Sequence, residues 1–173
     1  YLLADNGFEI VAEDVDADVI IINTCAFIES AKQEAIDNIL DIAWLKENHT
    51  LKGIVVTGCL AERYREEVLE RMPEVDCVIG TGSIHSIVDA VNAAYKGEKF
   101  TCFDDVNKAP FQSNRIITTP EYFAYLKIAE GCDNCCTYCV IPQIRGSFRS
   151  RPMDDIVGEA RDLAALGVKE ICL

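Results

Sequence analysis

The sequence predicts an α/β protein: a parallel sheet wrapped by helices on both faces, followed by the opening of a second α/β unit. Three observations carry this. The apolar runs "DVIIINT" (18–24), "GIVVTG" (53–58) and "DCVIG" (76–80) have the length and β-branched content of buried strands. Between them stand longer segments whose apolar residues recur at helical spacing. Beyond the residue 105–121 stretch the same alternation begins again, and strands alternating with helices of this length make crossover units and parallel sheets.

Taken in order, "YLLADNGFEIV" (1–11) reads as the last turn of a helix, a stop at Gly7 and a strand. After the 18–24 strand, "ESAKQEAIDNILDIAWLKEN" (29–48) places Ala35, Ile36, Ile39, Leu40 and Ala43 on one helical face. The 53–58 strand is followed by a charged helix, "AERYREEVLERM" (61–72), which Pro73 ends. The 76–80 strand leads to a helix over 83–97, with Ser83 as its cap and Gly97 as its stop. Residues 1–104 are thus expected to form a domain that is flavodoxin-like in general shape. Residues 105–121 lack periodicity, hold two of the five prolines and are expected to be a linker. Over 122–173 a strand, "YFAYLKIAEG" (122–131), a helix at 153–167 and a last strand, "VKEICL", make one βαβ unit. The chain opens on Tyr1 rather than Met and closes on that strand, so it reads as an internal piece of a longer protein.

Half the residues are hydrophobic and about a quarter charged, an ordinary globular balance. No apolar run approaches the ~20 residues of a membrane helix, and no basic-then-apolar leader opens the chain, so the expectation is a cytoplasmic, soluble protein with no membrane partner. The net charge of −13 is uneven: residues 1–100 hold 19 acidic and 8 basic side chains, residues 101–173 hold 10 and 8. Such an acidic face repels a phosphate backbone and suits a basic protein, although acidity also simply keeps a protein dissolved.

Nine cysteines are present, four of them within "CDNCCTYC" (132–139). Cys132, Cys136 and Cys139 make a C-x3-C-x2-C triplet. Three thiolates can hold three corners of a 4Fe–4S cluster and leave the fourth iron open, whereas an electron carrier normally closes all four. The alternative is a zinc site of two C-x2-C pairs using Cys135 as well, but no residue separates the pairs, and zinc ribbons need an insert there. In the first domain Cys25 and Cys59 follow strands at their carboxyl ends, along the crevice where open α/β sheets bind ligands. Each also stands at a helix entrance, which favours a thiolate. Gly58 would let the backbone approach a bulky ligand. Cys77, Cys102 and Cys172 read as core, "GTGS" (80–83) as either a phosphate cradle or a tight turn, and His49 and His85 as isolated.

The triplet, with Tyr138 before its last cysteine, resembles the signature of the radical S-adenosylmethionine (SAM) enzymes. The longer stretch "EGCDNCCTYCVIPQIRGSFRSR" (130–151) resembles the methylthiotransferases of that superfamily, through Glu130, Gly131, Pro142, Arg145, Gly146, Arg149, Ser150 and Arg151. The resemblance implies that the second unit opens a TIM-barrel-like radical SAM domain, with Cys135 a spacer. It implies a 4Fe–4S cluster on Cys132, Cys136 and Cys139 that binds SAM, and an auxiliary 4Fe–4S cluster on Cys25, Cys59 and a third cysteine outside this chain. The arginines could pair with the SAM carboxylate or offset cluster charge, or only solvate the loop.

The implied chemistry is methylthio insertion. SAM cleavage gives a radical that takes hydrogen from an unactivated carbon, the auxiliary cluster supplies or anchors sulfur, and a second SAM supplies methyl. The fragment alone is expected to be inactive. "NTCAFIESAKQE" (23–34) resembles the branch that modifies an aspartate β-carbon in a small-subunit ribosomal protein. The alternatives are the branch acting on tRNA adenosine and an iron–sulfur electron carrier without SAM chemistry. The implied partners are that ribosomal protein, an electron donor of flavodoxin or ferredoxin type, and a sulfur source.

Overall fold

A computed structural model describes residues 1–109, 117 and 119–173. After a short α1 (Leu2–Asp5) and a 3-10 turn at Asp14–Asp16, the first unit runs β1 (Val19–Thr24), α2 (Glu29–Asn48), β2 (Gly53–Gly58), α3 (Cys59–Tyr64), α4 (Glu66–Arg71), β3 (Cys77–Ile79), a 3-10 segment (Thr81–Ser86), α5 (Ile87–Tyr95) and β4 (Phe100–Cys102). A further 3-10 turn, Val106–Lys108, precedes β5 (Phe123–Tyr125), β6 (Ala129–Glu130), α6 (Ile141–Arg145), β7 (Arg149–Ser150), α7 (Met153–Ala165) and β8 (Glu170–Cys172). Among the described residues no helix is long and apolar enough to cross a membrane.

β1 to β4 form one parallel sheet in chain order, as the alternating pattern predicts. β2 is buried at all six positions, which is why it reads as an unbroken apolar run rather than an alternating one. Its successive side chains serve two cores. Ile54 and Val56 pack with Ile39 of α2, Leu60 of α3 and Val68 of α4; Val55 packs with Cys77, Ile79 and the Ile87, Ala90 and Ala94 face of α5. The strands step in one direction, yet α5 lies on the face opposite α2–α4. The β3–α5–β4 connection therefore has the opposite hand to the two before it.

One buried carboxylate ties the sheet to its helices. Asp76, 4% exposed, accepts from the Ile54 amide at 2.9 Å and pairs with Lys46 of α2 and Lys99. Asp76→Ala strands that amide and removes the lysines' partner, and is expected to lower unfolding stability by about 3 kcal/mol in urea titration. A loss under about 1 kcal/mol would show the carboxylate to be dispensable.

Several expectations are corrected. Residues 8–11 form no strand: β1 is an edge of the sheet, and no described strand lies beside it to pair with them. The charged helix breaks in two at Arg65, whose φ of 46° no α-helix accommodates. Arg65 turns back to pair at 2.9 Å with Glu62, itself buried. The helix expected from Ser83 begins at Ile87; Ser83 is fully buried, and its hydroxyl donates to Asp104 at 2.9 Å instead of capping. Leu40 is half exposed, since it lies about 100° round the helix from buried Ile39. Phe100–Cys102 is a strand the reading missed, and Cys102 is a half-buried edge residue whose thiol donates to Asp104 at 3.2 Å. Cys77 is core, and burial pushes its thiol up to about 11.

The second unit keeps the predicted βαβ path, with β5 parallel to β8 and α7 between them. The single strand expected over 122–131 is two: β6 leaves β8 and pairs antiparallel with β7, the returning limb of the cysteine loop. Most of the expected linker's middle, residues 110–116 and 118, lies outside the described residues.

Candidate metal centre

The cysteine loop is built as a clamp. Ala129 and Glu130 pair with Ser150 and Arg149, and the Cys132 amide donates to the Gly146 carbonyl at 3.0 Å. Gly131 sits at φ 75°, where a Cβ would lie 2.1 Å from the Ser147 carbonyl oxygen; only glycine permits limbs this close. Asp133 accepts from the Phe148 amide at 2.8 Å, and the Cys139 amide donates to the Cys136 carbonyl, closing a tight turn. Within this frame Cys132 and Cys139 are half-buried and Cys135 and Cys136 exposed; all are free thiols. Tyr138 is 90% exposed.

In the first unit Thr24 and Gly58 are register partners, so Cys25 and Cys59 follow directly from paired residues at adjacent strand ends. Cys25 is exposed and Cys59 buried. Gly58 has φ 94°, and a Cβ there would meet the Thr24 carbonyl oxygen at 2.4 Å. The glycine is needed for the neighbouring strand's backbone.

A cleft of about 490 Å³ separates these strand ends from the second unit. Asn23, Thr57, Gly58 and Thr81 line it on one side; Lys127, Glu130, Arg145, Arg149 and Arg151 on the other. Glu130 pairs with Lys127 and lies 3.6 Å from Arg145, and Arg151, buried, pairs with Glu159. Burial, then Arg145 and Arg149, pull the Lys127 ammonium below the usual lysine range, while the Cys59 thiol opposes them.

Three side chains, of which the sequence left Asn107 unremarked and gave Thr81 and Arg149 other roles, hold this arrangement. Thr81 donates to the Ile144 carbonyl at 2.7 Å, Asn107 accepts from the Ser147 amide at 2.8 Å, and Arg149 donates to the carbonyls of Val106 and Ala109 at 2.8 and 2.7 Å. Their only sequence signal is position: each stands just after a strand or on the returning limb of the loop. "GTGS" is a turn whose hydroxyls are committed to protein partners at Thr81 and Ser83, not a cradle.

Residues 1–80 match the model of a family described as uncharacterized protein family UPF0004. Over 173 residues the chain is 47% identical to the ribosomal protein uS12 methylthiotransferase RimO of Lachnoclostridium phytofermentans, covering 99% of the chain and 39% of the relative. Its counterpart in Desulforamulus reducens is 49% identical over 174 residues, with the same coverage. Over both of its α/β units the chain is similar to these methylthiotransferases. That of Clostridioides difficile is 47% identical over 172 residues, 98% of the chain and 38% of the relative. The chain thus spans about 39% of the length of these family members.

The family implies iron–sulfur clusters and SAM, and the donor set here can be tested against them. Around a 4Fe–4S cluster each thiolate binds a different iron, so the sulfurs stand apart instead of converging on one point. Among the described residues no three His, Cys, Asp or Glu side chains gather closely enough to hold a single ion. Three free, accessible thiols on one clamped loop are soft donors that suit iron–sulfur. Cys135 turns its sulfur towards its own loop, 3.9 Å from the Asp133 carbonyl. The residues fit a three-thiolate cluster on Cys132, Cys136 and Cys139. The pair Cys25 and Cys59 fits part of a second.

Proposed function

We propose that the chain is part of a radical SAM enzyme that places a methylthio group on the β-carbon of an aspartate in a small-subunit ribosomal protein. The observation that supports it best is identity of about 47% to uS12 methylthiotransferases over 99% of the chain, so that both units and both cysteine sets fall inside the match. In this reading Cys132, Cys136 and Cys139 hold the cluster whose open iron takes SAM, and Cys25 and Cys59 are two of the auxiliary ligands. A cluster of the first kind supplies one-electron cleavage of SAM and a hydrogen-abstracting radical.

The chain's own residues bind and orient. Lys127, Arg145 and Arg149 keep the cleft positive in a chain of net charge −13, which suits a carboxylate on SAM or on the substrate aspartate. Glu130 and Glu159 offset part of that charge and fix the Arg145 and Arg151 side chains. The acidic first unit offers a complementary face to a basic ribosomal protein. An electron donor of flavodoxin or ferredoxin type, a sulfur source and a cytoplasmic setting complete the proposal.

Anaerobic reconstitution of the full-length protein tests it. A brown protein with about eight irons is expected, forming 5′-deoxyadenosine when reductant and SAM are added. Intact-mass analysis of the ribosomal protein should then show a gain of about 46 Da. Bound zinc with no visible absorbance would remove the enzyme reading, and a gain on tRNA alone would move the substrate to the other branch.

A further inference from the structure

The limb that closes the cysteine loop is not held by the second unit alone. Consecutive amides of residues 147 and 148 point outward and are accepted from opposite sides: Phe148 by Asp133 within the loop, Ser147 by Asn107 of the Val106–Lys108 turn that follows the first unit. The Asn107 oxygen also sits where a Cβ on Gly146 would be, 2.6 Å away, and it is the Gly146 carbonyl that receives the Cys132 amide. One contact therefore runs from the turn, through two residues of the returning limb, to the first thiol. The turn is itself rigid: the Asp105 carboxylate accepts from both the backbone and side-chain nitrogens of Asn107, at 2.9 and 3.0 Å, leaving the Asn107 oxygen aimed at Ser147.

We infer that Asn107 is a positioning residue for the cysteine loop, setting the presentation of Cys132 from the turn that follows the first α/β unit, through the Ser147 amide. The consequence for function rests on the cluster reading above; the positioning itself does not. It makes the loop's geometry depend on contact between the two units, so that Cys132, Cys136 and Cys139 are preorganised only when the Val106–Lys108 turn is docked.

Because the proposed contact uses only an acceptor oxygen, it can be removed and restored. Asn107→Leu keeps the size and loses the acceptor. Asn107→Asp paired with Asp105→Asn restores an acceptor towards Ser147 while exchanging the two side chains' roles and keeping the net charge. The measurement is the alkylation rate of each cysteine by iodoacetamide and peptide mass mapping, in the full-length protein without metal, so that it does not depend on any cluster. Asn107→Leu is expected to speed alkylation of Cys132 and Cys139 about fivefold, the factor that loss of one hydrogen bond gives. The doubly exchanged variant should return both rates to within about twofold of the parent.

Cys77 is the internal control, being fully buried with its thiol held protonated. If Asn107→Leu labels Cys77 as well, the variant has unfolded. The exchanged variant then decides: parent-like rates at Cys132 support the inference, and fast labelling of Cys132 over a protected Cys77 overturns it. Unchanged loop rates in Asn107→Leu also overturn it. Absence of iron from the reconstituted parent would defeat the proposed function and leave these rates, and the inference, standing.

Discussion

Cys136→Ala is expected to abolish SAM cleavage and to take about four of eight irons with it, while Cys135→Ala keeps both. The two residues are neighbours, both exposed, both free thiols, so a difference between them cannot come from burial or folding. It can come only from which sulfur the cluster uses. With one of three thiolates gone the cluster loses a corner and its hold on the loop, so the loss of 5′-deoxyadenosine formation should exceed a thousandfold. Iron per chain and 5′-deoxyadenosine yield are read on the same anaerobic samples. Equal damage from the two substitutions would mean that Cys135 is a ligand, and a four-thiol site would replace the open one.

Gly131→Ala is the second large effect. The glycine's φ of 75° costs an alanine roughly 1 kcal/mol, and its Cβ would stand 2.1 Å from the Ser147 carbonyl oxygen and 2.5 Å from that of Gly146. Backbone on both limbs must shift, and the amide-to-carbonyl contact from Cys132 to Gly146 is the first casualty. A total of about 3 kcal/mol falls on the loop and the short β6–β7 pairing; of the segment between the limbs only Ile144 and Val140 reach the first unit's cores, which are otherwise built from that unit's own residues. The full-length variant should therefore reconstitute with about four irons while the unfolding transition of the first unit stays in place. Full iron content would show that the loop tolerates a wider gap than its glycine implies.

What the sequence disclosed follows from how each feature is encoded. The four-stranded sheet was legible because buried parallel strands are continuous apolar runs, and β2 shows this at every position. The strand expected at 8–11 was not formed although the outer edge of β1 is open: Phe8 packs against the α5-side core instead, a tertiary choice that no local pattern reports. The break at Arg65 was hidden because it depends on Glu62 being buried and reaching back to it, a tertiary demand laid over a good helical pattern. At the site, spacing marked Cys132, Cys136 and Cys139, and position at the carboxyl ends of two strands marked Cys25 and Cys59. Asn107, Asp133 and Thr81 were invisible because they act through main-chain groups of residues up to 63 positions away, and one asparagine or threonine in a turn looks like any other.

The hydrogen bonds that join the two units are lopsided in chemistry. Arg149 and Thr81 give theirs to the carbonyls of Val106, Ala109 and Ile144, and Ser147 gives its amide to Asn107. Almost any amino acid furnishes the same carbonyl, so the partly buried Val106 and Ala109 are free to drift without undoing the junction, whereas Ile144 is also held by its burial in the first core. Arg149, Thr81 and Asn107 have no such latitude. Genetic variation at this seam should therefore accumulate at Val106 and Ala109 and stall at Arg149, Thr81 and Asn107.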